Sequence, residues 1–157
     1  MTPITFFVPG KPQTAGSKRA FVIRRGGQYT GRAIVTDDNP KSRDWKTDVG
    51  IMAKLSYAGQ PLTGPIELDL TFYLDRPKGH YRTGKYAESL RPSAPTHPTT
   101  KPDLLKLARG VEDALTGIVW RDDSQIVWER LQKRYVDHGT SSGQGVEVTV
   151  CEMEEKE

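Results

Sequence analysis

The sequence predicts an α+β fold in which one mixed or antiparallel β-sheet packs against two main helices. Three observations lead there. Residues 66–74, IELDLTFYL, alternate Ile66, Leu68, Leu70, Phe72 and Leu74 with Glu67, Asp69, Thr71 and Tyr73, as a strand with one buried face does. Residues 104–116 repeat apolar side chains at helical spacing. The chain has 157 residues and is 35% hydrophobic, enough for one core and too little for two.

The elements follow in chain order. Residues 4–8, ITFFV, form an apolar run closed by Pro9 and Gly10, as expected of a buried first strand. The loop KPQTAGSKR comes next. Residues 21–23 and 33–35 flank Arg24, Arg25, Gly26 and Gly27, which predicts a hairpin whose glycines supply positive φ. Asn39 and Pro40 mark a helix start, and Trp45, Val49, Met52 and Ala53 share one face until Gly59, Gln60 and Pro61 stop it. After the alternating strand, residues 76–101 carry Pro77, Pro92, Pro95, Pro98, Gly79 and Gly84 without apolar periodicity. A long basic loop is expected there, either functional or mobile. The second helix buries Leu104, Leu107, Ala108, Val111, Ala114 and Leu115, and Gly117 suits its end. Residues 124–135 are strand-like with apolar residues on both faces, and Val146, Val148 and Val150 alternate in a closing strand. The glycine-rich link DHGTSSGQG predicts that these last two strands are antiparallel neighbours. No repeat or boundary divides residues 1–157, so a single domain is expected.

Charge points to an anionic partner. The formal net charge is +3, and its distribution says more than its size. Residues 1–32 hold six Lys or Arg and no acid, and residues 76–101 hold six against Glu88 alone. Either stretch by itself is more simply a solvated surface, and it is the two on either side of a carboxylate cluster that point to a polyanion. Cys151 is the single cysteine, which excludes an internal disulfide and a cysteine-based zinc site and fits a reducing cytoplasm. No run approaches the roughly 18 to 20 apolar residues of a membrane span, and the start MTPITFFVPGKP lacks signal-peptide character, so no membrane association or export is expected. A GxxxxGK[ST] phosphate loop and a nucleophile elbow are absent, and His80, His97 and His138 lack ligand spacing. No nucleotide cofactor is expected.

The chemistry concentrates in residues 101–125, KPDLLKLARGVEDALTGIVWRDDSQ. Asp103 precedes the helix, where it is either an N-cap or a metal ligand. Asp122 and Asp123 follow it, as an ordinary turn or as ligands. Magnesium needs only one or two carboxylates beside waters and phosphate oxygens. Arg109 suits bidentate neutralisation of a phosphorane and Lys106 offers a point charge, although Arg109 and Glu112 are also spaced for an i, i+3 ion pair.

The segment KPDLLKLARGVEDALTGIVWRDDSQI resembles the RusA family of Holliday junction resolvases, whose pattern runs approximately PD-x-D-N-L-x-K-x-x-x-DAL and then DD-x-Q. Looser similarity extends to VPGKPQTAGSKR and to the final strands. The resemblance implies a small homodimeric, magnesium-dependent endonuclease, with manganese as a substitute ion. Its substrate would be branched DNA, the four-way junction, in recombination and repair in a bacterial cytoplasm, often phage-encoded. It places the family's catalytic aspartates on Asp103 and Asp123, with Asp122 beside the latter, and the family lysine on Arg109. The second family aspartate falls on Leu105, and the family asparagine on Lys106. Glu112 lies seven residues beyond Leu105 at nearly the same azimuth, about 10 Å away, and is expected to replace the missing ligand in part. The expected DNA contacts are Lys18, Arg19, Arg24, Arg25 and Arg32, then Lys78, Tyr81, Arg82 and Lys85, then Lys101 and Lys106. Tyr81 would stack on a base or fold on its own segment. Two alternatives stay open: a catalytically weak or inactive junction-binding protein, which Leu105 motivates, and a nuclease for other branched DNA.

Overall fold

A computed structural model describes residues 2–16, 18–37, 39–136 and 142–154. The elements are β1 (Ile4–Pro9), β2 (Lys18–Arg25), β3 (Gln28–Asp37), α1 (Lys41–Ser56), β4 (Ile66–Leu74), α2 (Leu104–Leu115), β5 (Ile126–Tyr135) and β6 (Gly145–Glu152). Four strands form one mixed sheet in the order β1-β6-β4-β5, while β2 and β3 form a separate hairpin. This is the α+β architecture that the sequence predicts.

The core lies between one sheet face and the two helices. Phe6 and Val8 of β1, Leu68, Leu70 and Phe72 of β4 and the three valines of β6 face the stripe Trp45, Val49 and Ala53 of α1 and Leu107, Val111 and Leu115 of α2. Most of these side chains are inaccessible to solvent. Residues 70 and 148 stand opposite each other, so β4 and β6 join their apolar faces in register. Among the described residues no helix is long and apolar enough to cross a membrane.

The last two strands depart from the expected pairing. β5 and β6 are not neighbours; both flank β4, β6 antiparallel and β5 parallel to it. The residues explain the choice. On its core-facing parity β6 presents Val146, Val148 and Val150 before Glu152 at its end, whereas β5 presents Glu129 and Lys133 opposite Leu68 and Phe72 within its span. A central position would bury those two charges between strands, and the sheet edge leaves them partly in water. Residues 137–141 of the link, with His138, lie outside the described residues.

Residues 76–101 carry more structure than their prolines suggest. Short 3-10 turns occupy Lys78–His80 and Gly84–Tyr86, and Tyr81 bridges Leu90 in an antiparallel contact. Arg91 Nε donates to the Tyr81 carbonyl at 2.8 Å, and Arg76 lies 4.3 Å from the Tyr135 ring centroid while donating to the Pro95 carbonyl at 2.7 Å. Arginines thus satisfy the carbonyls of a segment too proline-rich to pair with itself throughout.

Where β6 begins, Gly145 lies so close to β1 that a Cβ would stand 2.2 Å from the Val8 carbonyl oxygen. Because backbone rather than a flexible side chain occupies that space, Gly145→Ala is expected to cost about 2–3 kcal/mol, read as a lower urea midpoint at constant slope.

Candidate active site

α2 organises the site, and a glycine within it sets the approach of the N-terminal loop. A Cβ on Gly110 would meet the Gln13 carbonyl oxygen at 3.2 Å, and the Ala15 amide donates to the Lys106 carbonyl at 2.9 Å. Residues 13–16 therefore lie along the helix. Together they form a cleft of about 410 Å³ lined by Thr14, Ala15, Gly16, Lys101, Pro102, Asp103 and Lys106. Asp103 occupies the N-cap position with φ −71° and ψ 132°, yet its side chain makes no capping hydrogen bond. The cap is thus not what its carboxylate does. From β5, Lys133 Nζ donates to the carbonyls of Thr100 (2.7 Å) and Pro102 (2.9 Å) and fixes the chain where it enters α2.

At the other end of the helix the two aspartates separate in role. Asp122 Oδ1 accepts from the Ser124 amide at 2.9 Å, and hydrogen bonds from the Ser124 side chain and backbone hold its carboxyl below the usual range. Gln125 completes this capping box, since its Oε1 accepts from the Arg121 and Asp122 amides, both at 2.9 Å. Its Nε2 donates to the carbonyls of Leu62 (3.0 Å) and Gly64 (2.9 Å), which anchors the turn beside the entry to β4. Asp123 turns inward instead. Its Oδ1 accepts from the Thr116 hydroxyl at the end of α2 and from Trp120 Nε1 at 3.0 Å.

Between these ends lies Glu112, half-buried on the flank of α2 that faces β5. Burial, a hydrogen bond to the Glu129 carboxyl and the negative charges of Glu129, Asp123 and Asp113 push its pKa up to about 7. Glu112 thus keeps its proton into the neutral range, hydrogen-bonded to Glu129. Glu112 faces Glu129 rather than Arg109, which remains exposed and forms no salt bridge among the described residues. Asp113 is neutralised separately by Lys46 of α1 at 2.7 Å.

The helix keeps Asp103 and Asp123 apart. Thirteen residues separate Asp103 from Thr116, about 20 Å along the axis, so the two carboxylates do not converge within one chain. The structure instead brings Glu112, Glu129 and Asp123 to one region, and Asp103, Lys101 and Lys106 to another. Leu105 stands on the α2 flank, 73% exposed. Among the other predicted contacts, Arg24, Arg25 and Arg32 are exposed on the hairpin, and Lys78, Arg82 and Lys85 are exposed on the long loop. Tyr81 is half-buried, and the side chains of Lys18 and Arg19 lie outside the described residues.

The family model for the endodeoxyribonuclease RusA matches residues 9–150. The chain belongs to the RusA endodeoxyribonuclease family. It is also 33% identical over 135 residues to the uncharacterized protein YqaN of Bacillus subtilis (strain 168), a match that covers 86% of this chain and 89% of that protein. RusA proteins are nucleases that resolve Holliday junctions and generally use divalent metal ions.

The donor set decides whether a cation fits this RusA-family chain. Among the described residues no three His, Cys, Asp or Glu side chains form a ready-made cage. Two hydrogen-bonded carboxyls, with a third carboxylate charge nearby, nevertheless suit a hard divalent ion with an incomplete protein shell. Glu129 and Lys133 are the functional candidates that the motif does not contain. Their signal is in β5 itself, where both share the parity of the partly buried Leu131 and the buried Tyr135, although Glu129 stays exposed.

Proposed function

We propose that this chain is a divalent-metal-dependent endonuclease that nicks four-way DNA junctions, with magnesium as the expected ion and manganese as a substitute. The Glu112–Glu129 pair carries this reading, because two carboxyls in hydrogen-bond contact, with the Asp123 charge nearby, gather oxygen donors that a cation would satisfy. Glu112 and Glu129 would hold the ion, and Asp123, its rotation fixed by Thr116 and Trp120, would add its negative charge nearby. Such an ion polarises the scissile phosphate and lowers the pKa of bound water. Arg109, one turn before Glu112, neutralises the nonbridging oxygens as charge accumulates on them. Asp122 holds the turn on which Asp123 is presented. Asp103, free of the cap and flanked by Lys101 and Lys106, supplies a second acidic position at the far end of α2. Those two lysines bind phosphates further along the strand.

Paired nicks in opposing strands require two identical sites, so the working unit is assigned as a two-fold homodimer in the bacterial cytoplasm. β5 is a sheet edge with Val127 and Trp128 exposed, a surface that a symmetric partner would cover. The exposed arginines and lysines of the hairpin and long loop suit the phosphates of several junction arms.

Labelled four-way junction incubated with the protein is expected to acquire symmetric nicks with magnesium and none in chelator. A junction that is shifted but left intact with magnesium would support the second reading, a silent junction binder, which Leu105 motivates. Faster cutting of flaps or forks in competition would move the assignment to another branched substrate.

A further inference from the structure

We propose that the β2–β3 hairpin is a DNA-docking arm, a two-stranded ribbon that lies in a groove of duplex DNA away from the chemistry on α2. Charge is the first argument. Residues 18–37 contain five bases and one acid, whereas the rest of the chain contains eighteen bases and nineteen acids. The hairpin therefore carries more than the whole net charge of +3, on a body that is close to neutral.

Its isolation from the body is the second. β2 and β3 form a sheet of their own, and among residues 20–35 only Ile23 is other than exposed. Phe21 (55%) stands opposite Ile34 (51%) with both in water, and Val22, Val35 and Tyr29 are also exposed. A lone two-stranded hairpin is marginal in water, and residues 20–35 of this one bury almost nothing on their own domain. The apolar surface of such an arm is covered by what it binds. At about 3.3 Å per residue the eight and ten residues of its strands extend roughly 26 to 33 Å.

Duplex DNA fits this arm better than a second copy does. Two such hairpins would repel each other, whereas phosphates attract one. The major groove, about 12 Å wide, admits a two-stranded ribbon. At the tip Arg24 pairs across the ladder with Tyr29, and Arg25 with Gln28. Gly26 (φ 58°) and Gly27 (φ 80°) supply the positive φ of the turn, and the space around both is open. Arg24, Arg25 and Arg32 engage no carboxylate among the described residues, so all are available to phosphate. The Thr30 hydroxyl donates to the Ile23 carbonyl at 2.8 Å, bracing the ladder beside its bulge.

The inference rests on the nuclease reading for its substrate, but its test does not require cleavage. Anisotropy of a labelled linear duplex is measured against the full chain in chelator over a range of salt. Arg24→Glu with Arg25→Glu is expected to weaken binding by about 30-fold or more and to reduce the salt slope by about two. Phe21→Ser with Ile34→Ser should weaken it roughly fivefold at unchanged slope, because apolar contacts release no counterions. Sedimentation should show one mass for all three proteins. Affinity and slope that stay within threefold of the parent in the charge variant would overturn the proposal. So would a fall in mass in either variant, because the arm would then serve a second copy. Duplex binding through the arm without junction nicking keeps the arm and removes the nuclease reading, and nicking that ignores both variants does the reverse.

Discussion

Glu112→Gln is expected to make the metal-free protein more stable at pH 8 and, at limiting magnesium, about 100-fold slower at nicking junctions. The two effects share one cause. Burial, then Glu129 and the nearby acids, raise the Glu112 pKa from 4.5 to about 7. The folded state therefore holds a proton that the unfolded chain has released, and stability falls as pH rises from about 4.5 through about 7. Below the lower value the penalty is absent, and above the upper one it is complete. Taken without solvent screening, the shift corresponds to about 3.4 kcal/mol. Because the group is half-exposed, about 1–2 kcal/mol is the appropriate figure, or a gain of roughly 2–8 °C in melting temperature for the variant. Glutamine carries no charge to desolvate and still hydrogen bonds Glu129, so the variant should lack this loss between pH 5 and pH 8. It also loses a ligand. Thermal unfolding in chelator measures the first effect and junction nicking the second. Wild-type nicking by the variant at limiting magnesium would remove Glu112 from the metal site, whatever its stability.

How much of this was legible in the sequence depends on the range of the forces involved. The alternation of β4 is set by a boundary between core and solvent that every second residue crosses, so nine residues declare it alone. The stripe of α2 declares itself for the same reason. Strand order does not, because the choice between β5 and β6 as partner rests on where Glu129 and Lys133 are tolerated, and that depends on the whole sheet. The site divides in the same way. The spacing of Asp103, Arg109 and the DD pair is local and visible. That Asp122 caps a turn while Asp123 turns toward Thr116 and Trp120 is a matter of rotamers, and two adjacent aspartates do not reveal it. The straight helix between them, about 20 Å from cap to cap, is what keeps Asp103 out of the Asp123 group. Glu129 enters that group from a strand seventeen residues beyond Glu112, a partnership that only the parallel pairing of β4 and β5 creates.

Leu105→Asp is expected to raise nicking at limiting magnesium about tenfold, the low end of what a residue that only supports a metal ligand contributes to metal affinity. The substitution should be structurally quiet. Leu105 is 73% exposed, so its removal takes little apolar surface from the core. Aspartate is a poorer helix former than leucine by a few tenths of a kcal/mol. At the second residue of α2, however, a negative charge gains about 0.3–1 kcal/mol from the helix N-terminus, and the two terms nearly cancel. The introduced carboxylate would stand beside Asp103 and the basic cleft, about 10 Å from Glu112 along the helix. At that separation it cannot complete the Glu112–Glu129 pair, so any gain comes from the Asp103 end. A double-mutant cycle separates the two ends. If they hold cations independently, the tenfold gain appears equally in the wild-type and Glu112→Gln backgrounds. If both ends act on one phosphate, the gain vanishes when Glu112 is removed. Rates unchanged by Leu105→Asp in both backgrounds would leave the cleft with DNA binding as its function and place all the chemistry on the flank shared by α2 and β5.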